Sequence, residues 1–174
     1  MFSHQFEADG KQGRFWDAFD LLVRALAALG GVVLVVATVI VLVEVTSRYF
    51  FRRPILGAVE VTEYCLVWIT FLAAPWVQTR GGNVKVDFVV NALSRKSQYT
   101  LNFSMCLAAA ATCLLLTFFS AVTVWSHYEI GYYLSTPLHP PSAPIISIIP
   151  ISTLLLAIQF MREASHHFRR VMGE

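Results

Sequence analysis

The sequence predicts an all-α membrane protein with four transmembrane helices and a shorter amphipathic helix, in the membrane interface, between the second and the third. Two observations carry this prediction. The chain of 174 residues is 56% hydrophobic and only 14% charged, whereas a soluble domain carries about 25% charged residues. Its apolar residues also gather in four blocks, and a helix needs about 20 such residues to cross roughly 30 Å of hydrocarbon.

The first block predicts a transmembrane helix at about residues 21–43, after a cytoplasmic N-terminal segment, 1–20, that can be amphipathic. Asp17 and Asp20 lie in that polar segment, and the apolar run after it is longer than the roughly 7–15 residues of a signal peptide. We therefore expect the run to remain as an anchor. Ala27 and Gly31 form a pair of small residues four positions apart, a spacing that lets two helices approach closely in lipid.

The second transmembrane helix is predicted at about residues 58–77. Its uninterrupted apolar part, Cys65 to Val77, is too short to span alone, so a re-entrant segment remains an alternative. A full span places Glu60 and Glu63 in the first turns, near the water interface. Pro75 lies near the other end, where a kink is tolerated if a neighbour satisfies the carbonyl group that proline leaves free.

The amphipathic helix is predicted at about residues 84–96, after a turn at Gly81 and Gly82. The apolar side chains on one of its faces are Val86, Val89, Val90 and Leu93. The opposite face carries Asp87, Asn91, Ser94 and Arg95. A helix with this pattern, too short to span, is suited to lying in the interface.

The third and fourth transmembrane helices are predicted at about residues 101–125 and 143–161, which completes a membrane domain at 21–162 and leaves a cytoplasmic tail at 163–174. Pro150 should bend the fourth helix. The linker from Tyr132 to Pro144 contains four prolines, which indicate an ordered turn and not a regular helix.

The orientation follows from the distribution of Lys and Arg, which favours the cytoplasmic side. With four spans, the N-terminal region, the second loop and the C-terminal tail share one side and hold ten of the 13 basic residues. The other side holds the remaining three. The sequence therefore predicts that both termini are cytoplasmic and that the proline-rich linker is external.

The sequence offers no pattern for catalysis, for a cofactor or metal site, or for nucleic-acid binding. Charges buried at membrane depth are costly and mark functional sites, and the middles of the four apolar blocks contain none. The three cysteines lie in apolar runs without a Cys-x-x-Cys pair, so we expect neither a disulfide, a zinc site nor a thiol oxidase. No histidine lies at membrane depth, which argues against haem.

One group of charged residues stands at the external end of the first two helices. The acids are Glu44, Glu60 and Glu63, and the bases are Arg48, Arg52 and Arg53. Two interpretations remain open. The charges are either solvated individually at the interface, or they pair to fix the hairpin or to dock a partner. In the second interpretation, Glu60 or Glu63 pairs with Arg48.

Several short stretches together resemble a known family. They are Arg48–Pro54, the residues Glu60, Glu63 and Tyr64, the segments Val67–Ala74 and Gly82–Asp87, and the later Thr136–Leu138, Pro141 and Ile149–Pro150. Their order and spacing over residues 20 to 162 are similar to those of the small membrane subunit of tripartite ATP-independent periplasmic (TRAP) transporters, the DctQ-like family. Two residues depart from the family pattern: Asn83 replaces a frequent His, and Ala73 replaces a frequent Gly.

The resemblance implies a bacterial inner-membrane complex. In that family a large permease subunit carries the substrate and sodium sites and moves as an elevator, a periplasmic binding protein delivers an organic acid, and the small subunit is a fixed scaffold. C4-dicarboxylates, sialic acid and other carboxylates remain open as substrates. The candidate structural or subunit-interface residues are Arg48, Arg52, Pro54, Glu60, Glu63 and Asp87.

Two other classes of function remain as alternatives. The first is a self-sufficient small oligomeric transporter of the multidrug type, which needs an acid at membrane depth, and Glu44 is the nearest approach to one. The second is a purely structural membrane protein outside transport. We expect membrane lipids and, for a transporter subunit, the permease and the binding protein as partners.

Overall fold

A computed structural model describes residues 14–53, 55, 57–80, 95–134, 136 and 138–172. The helices are α1 (Arg14–Phe51), α2 (Ala58–Thr79), α3 (Arg95–Ile130), α4 (Ser142–Ile146) and α5 (Ile148–Met172). Four segments are long and apolar enough to cross a membrane: Trp16–Phe51, Ala58–Thr79, Leu101–Ile130 and Ser142–Ser165. The prediction of four transmembrane helices is confirmed. Apart from one isolated bridge between Tyr133 and Pro141, the described residues form no β-structure.

The helices extend beyond the apolar blocks. The 38 residues of α1 cover about 57 Å, well beyond the thickness of the hydrocarbon layer. Hydropathy locates only the part that lipid must surround, and the backbone stays helical through the charged turns on either side. Residues 84–94, which make up most of the predicted interfacial helix, lie outside the described residues, and Arg95 and Lys96 begin α3.

The packing order differs from the chain order. The most extensive contacts join α3 with α5, followed by α1 with α2 and then α2 with α5. Within the fourth span, 33% of its most apolar window is buried, against 11% in the first and third. α5 is therefore the central element, because it packs against both α2 and α3.

A narrow seam on α1 contacts α2. Its buried residues include Val23, Gly30, Ala37 and Glu44, which repeat every seven positions, the spacing of a left-handed coiled coil. A Cβ on Gly30 would lie 3.2 Å from the Cβ of Leu72. The small residue at the close approach is thus Gly30 and not the Ala27–Gly31 pair that the sequence favoured, since nothing lies within 4 Å of a Cβ built on Gly31.

The two prolines within the spans have different local solutions. Pro75 lies inside α2 and is buried. Because proline has no N–H, the carbonyl of Phe71 loses its helical partner, and the Ser152 hydroxyl of α5 donates a hydrogen bond to it. Pro150 lies in the first turn of α5, where an N–H is not needed. Its ring crowds the carbonyl of Ile146, and the helix is divided at Ser147 into α4 and α5, whereas the sequence predicted a bend within one helix.

Candidate functional site

Polar contacts between helices concentrate at the two ends of the bundle. We call one the loop end, formed by the last turns of α1, the turn at residues 52–57, the start of α2 and the segment 131–147 that follows α3. We call the other the terminal end, formed by the starts of α1 and α3 and the last turns of α2 and α5. All candidate residues from the sequence except Asp87 belong to the loop end. Asp87 and Pro54 lie outside the described residues.

The α1–α2 turn begins with an unusual backbone conformation. Arg52 follows α1 with φ of 52°, and Gly57 precedes α2 with φ of 87°. The left-handed region is ordinary for glycine and uncommon for arginine. The Ser47 hydroxyl donates a hydrogen bond of 3.0 Å to the carbonyl of Arg53 and so ties the turn back to α1.

Arg48 pairs with Glu44, one turn earlier on the same helix. The Arg48 Nε lies 2.9 Å from Glu44 Oε1, and an Nη2–H donates to the same oxygen. The expected pairing of Arg48 with Glu60 or Glu63 is therefore wrong in the structure. Residues four positions apart on a helix are already neighbours, so Glu44 reaches Arg48 without any help from α2. Only 9% of the Glu44 side chain is exposed, against 61% of the Arg48 side chain.

Glu60 instead binds the segment between α3 and α5, residues 131–147, which we call the external segment after its predicted side of the membrane. Its Oε2 accepts a hydrogen bond of 3.3 Å from the Leu138 N–H. One turn further along α2, the Tyr64 hydroxyl lies 3.4 Å from that of Thr136. One more turn along, the Trp68 indole donates to the Ile145 carbonyl at 3.2 Å.

Three residues of α2 at intervals of four thus each hold a part of the segment between α3 and α5. A Cβ on Gly57 would lie only 2.7 Å from Leu138 Cδ1, which shows how closely this segment covers the start of α2.

The external segment is also tied to the end of α3. Ser142 is buried, and its hydroxyl donates to the Tyr132 carbonyl at 3.0 Å. Because its single hydrogen is used there, Ser142 accepts a hydrogen bond of 2.9 Å from His127 Nδ1–H.

Three charged residues of the loop end face outward. Arg52, Arg53 and Glu63 are exposed, and their side chains have no hydrogen-bonding or ionic partner among the described residues. They are the members of the predicted cluster that fit the solvated interpretation. Glu44, Arg48 and Glu60 fit the paired interpretation, though with partners other than those predicted.

The terminal end holds a network that the sequence reading missed. Arg162 of α5 donates to Asp20 of α1 at 2.9 Å, and its guanidinium carbon lies 4.7 Å from the centroid of the Trp16 ring. Gln78 of α2 donates to Glu163 at 2.7 Å. The available signal was topology, because the start of the first helix and the ends of the second and fourth must meet on one side of a four-span protein.

One buried polar group beside this network has no protein partner. Gln159 is 6% exposed, and its Nε2 makes no hydrogen bond within the part of the chain that the structure describes. Gln159 lies one turn before Glu163 on the same face of α5.

The described residues contain no group of three or more His, Cys, Asp or Glu side chains arranged for a metal ion. The cysteines at 65, 106 and 113 form no disulfide among the described residues. Glu44 is the only acid among the buried residues of the described chain, and Arg48 neutralises it. The arrangement is therefore one of ties between helices, without an unpaired buried acid for ion or substrate binding.

Comparison with known proteins adds one match. Residues 37–170 match the model of the family described as tripartite ATP-independent periplasmic transporters, DctQ component. This match covers about three-quarters of the 174 residues and includes α2, α4 and the entire loop end. A search among curated proteins gave no match.

Proposed function

This chain belongs to the DctQ component family of TRAP transporters, and from that membership we propose that it is the fixed subunit that braces the large permease. As a member of the family it is a multi-pass membrane protein and the small subunit of a tripartite transporter, with a permease and a binding protein as partners. The transported substrate in this proposal is an organic acid, delivered by a periplasmic binding protein and driven by sodium.

One observation carries the bracing role. Four acids within or beside the spans are used for ties inside the chain: Glu44 to Arg48, Glu60 to Leu138, Asp20 to Arg162 and Glu163 to Gln78. Glu63 has no such tie, but it is exposed in the second turn of α2, at the loop end. A coupling ion or a carboxylate substrate needs a free charge or a free set of oxygens at membrane depth. The ties instead make a rigid body, which is the property that a fixed support for a moving subunit requires.

The test is reconstitution of the chain with and without its permease. We expect that vesicles containing this chain alone take up no organic acid under a sodium gradient, and that vesicles with the permease and binding protein require the chain for uptake. Uptake by the isolated chain would contradict the proposal and would favour the self-sufficient transporter. For that alternative, Glu44 would have to release Arg48 in order to exchange ions.

We place the protein in the bacterial inner membrane with both termini cytoplasmic. The support is the excess of Lys and Arg at the terminal end. Single cysteines at Ser3 and Ser135 test the orientation with a reagent that does not cross the membrane. Labelling from outside at Ser135Cys alone supports it, and labelling at Ser3Cys alone overturns it.

We also keep the interfacial helix at 84–96 as a proposal, with Asp87 on its polar face and with its apolar face on lipid or on the permease. Spin labels at Val86 and Val89 should be shielded from a water-soluble relaxation agent, whereas labels at Asn91 and Ser94 should be accessible. Equal accessibility at all four positions would contradict an interfacial helix.

A further inference from the structure

We propose that the loop end of this protein binds one membrane phospholipid, with an acyl chain in an apolar groove beside Ile55 and the phosphate on Arg52 and Arg53. This site goes beyond the bracing role and does not depend on it. Three features of the described residues support it: the lining of the groove, its depth in the membrane and the arginines at its rim.

The groove consists of two adjoining depressions of about 350 and 400 Å³, which share Val43 and Ile55. We call them together the acyl groove. It follows α1 from Val39 to Phe51 and is bounded at its deeper end by Val61 and Leu138. Twelve residues of helix cover about 18 Å, so the groove is long enough for most of an extended acyl chain.

The side chains that line the acyl groove among the described residues offer a partner no free hydroxyl hydrogen. The two hydroxyls of the groove are both used internally: Thr46 donates to the Leu42 carbonyl at 2.7 Å, and Ser47 donates to the Arg53 carbonyl at 3.0 Å. The groove therefore offers only dispersion contacts and the burial of apolar surface. An acyl chain needs nothing more, whereas a protein partner would gain no directional contact there.

The depth of the acyl groove matches the boundary between hydrocarbon and headgroups. Asp20 and Glu44 mark the two charged levels of α1, and the 24 residues between them cover about 36 Å, close to the roughly 30 Å of hydrocarbon. Val39 and Val43 then lie on the hydrocarbon side of Glu44. Phe51 lies about 10 Å beyond Glu44, at headgroup level.

The rim of the acyl groove carries unused positive charge. The guanidinium groups of Arg52 and Arg53 have no partner among the described residues, and the Ser47 hydrogen bond keeps Arg53 at the end of the groove. Guanidinium groups bind phosphate through paired, charge-assisted hydrogen bonds. Arg52 also occupies a left-handed backbone position at φ of 52°, a conformation that glycine adopts more readily than arginine.

A protein would fit the loop end less well than a phospholipid does, whether the protein is a second copy of this chain or a partner with an acidic surface. A second copy in a two-fold contact would bring the same arginines toward each other, because such an interface is self-complementary. An acidic protein surface would match the arginines but would leave the acyl groove empty. Both remain measurable outcomes of the test below.

The first experiment uses the full chain in mild detergent, supplied with vesicles of phosphatidylglycerol and then analysed by native mass spectrometry. We expect one retained lipid per chain. The double variant R52Q/R53Q should retain at least about fivefold less, because it loses both phosphate contacts. R24Q, which removes an exposed arginine at the terminal end, should retain as much as the natural chain.

Two further probes identify the ligand chemistry. Diacylglycerol, which has the acyl chains without the phosphate, should not be retained, and inorganic phosphate at millimolar concentration should not displace the lipid. Thr46 is exposed in the acyl groove, so T46W should block the groove and abolish retention while leaving the melting temperature unchanged.

Three results would overturn the proposal. One is unchanged retention in R52Q/R53Q, and another is an equal loss in R24Q, which would indicate unspecific association with charge. The third is a cysteine at position 46 that cross-links in native membranes to another protein or to a second copy, which would show a protein in the acyl groove.

Discussion

The loop end and the terminal end are held together by different kinds of contact. At the loop end, Glu60 and Trp68 of α2 bind backbone groups of the external segment, and the ion pair that the described residues form there, Glu44–Arg48, joins residues on a single helix. At the terminal end, the contacts are between side chains, and Asp20 and Arg162 are 142 positions apart in the chain. The loop end therefore orders the connections between helices, whereas the terminal end closes the bundle by joining the first helix to the last.

The two ion pairs, Glu44–Arg48 and Asp20–Arg162, should contribute differently to stability because they differ in solvent exposure. Arg48 is 61% exposed, and an exposed pair contributes at most about 1 kcal/mol. Arg162 is only 9% exposed and is also packed over Trp16. Its partner Asp20 is 30% exposed, so removing Arg162 leaves a partly hydrated charge and should cost less than a fully buried pair does, which is about 3–5 kcal/mol. The comparison teaches that the charged residues most visible in the sequence are not those that stabilise the fold most.

The largest effect should come from Arg162. We expect R162A to lower the free energy of unfolding by about 2–3 kcal/mol, because it removes the ion pair with the partly exposed Asp20 and the contact with Trp16. Reversible unfolding in mixed micelles measures this loss. R24A is the control, since Arg24 is exposed on α1 one turn from Asp20. A loss in R162A no larger than in R24A would remove the distinction between the two ends.

Removing the hydrogen bond between Ser152 and the Phe71 carbonyl tests what determines the loss of stability when a contact is broken. It asks whether burial of the contact matters more than its position at one end of the bundle. S152A should lower the free energy of unfolding by about 1–3 kcal/mol, because it leaves a buried carbonyl without a donor. The second change P75A restores the N–H that Phe71 lacks within α2. The double variant S152A/P75A should therefore recover most of the loss, and the same loss in both variants would contradict this account.

The contact between Gly57 and Leu138 measures how firmly the loop end is ordered. G57A should cost about 1–2 kcal/mol, because alanine is strained at a φ of 87° and its Cβ would collide with Leu138. G31A is a matched control on α1, where the Cβ meets nothing within 4 Å, and it should be neutral or slightly stabilising. Equal stability of G57A and G31A in thermal unfolding would show that the external segment is not packed on this turn.

The smallest effect should come from Arg48. R48Q should lower the free energy of unfolding by no more than about 1 kcal/mol, and adding E44Q should recover most of that loss, because the two residues pair only with each other. In the charge-reversal variant R48E, adding E60R should give no recovery. Recovery by E60R would support the pairing between Arg48 and Glu60 that the sequence suggested. The loop end would then also have an ion pair between two helices, as the terminal end does.

Part of the loop end was predictable from the sequence. The acids and arginines were correctly placed at one end of the first hairpin, and Glu60 does make a contact between segments of the chain. Its partner is a backbone N–H, which carries no residue-specific signal in a sequence. The partner of Arg48 was missed because the predicted first helix stopped at residue 43, whereas α1 continues to Phe51 and keeps Glu44 and Arg48 on one face.

By itself the sequence determined the four spans and the lack of charge in the middles of the apolar blocks. These are local properties, because in lipid every backbone group must be satisfied within its own helix, and a charge is costly wherever it lies at depth. Only the tertiary structure decided that Gly30 and not Gly31 faces α2. It also decided that Ser152 donates a hydrogen bond to the Phe71 carbonyl and that Arg162 pairs with Asp20. Those pairings depend on the rotation of each helix about its axis and its height against its neighbours, which are set by packing between helices and not by hydropathy.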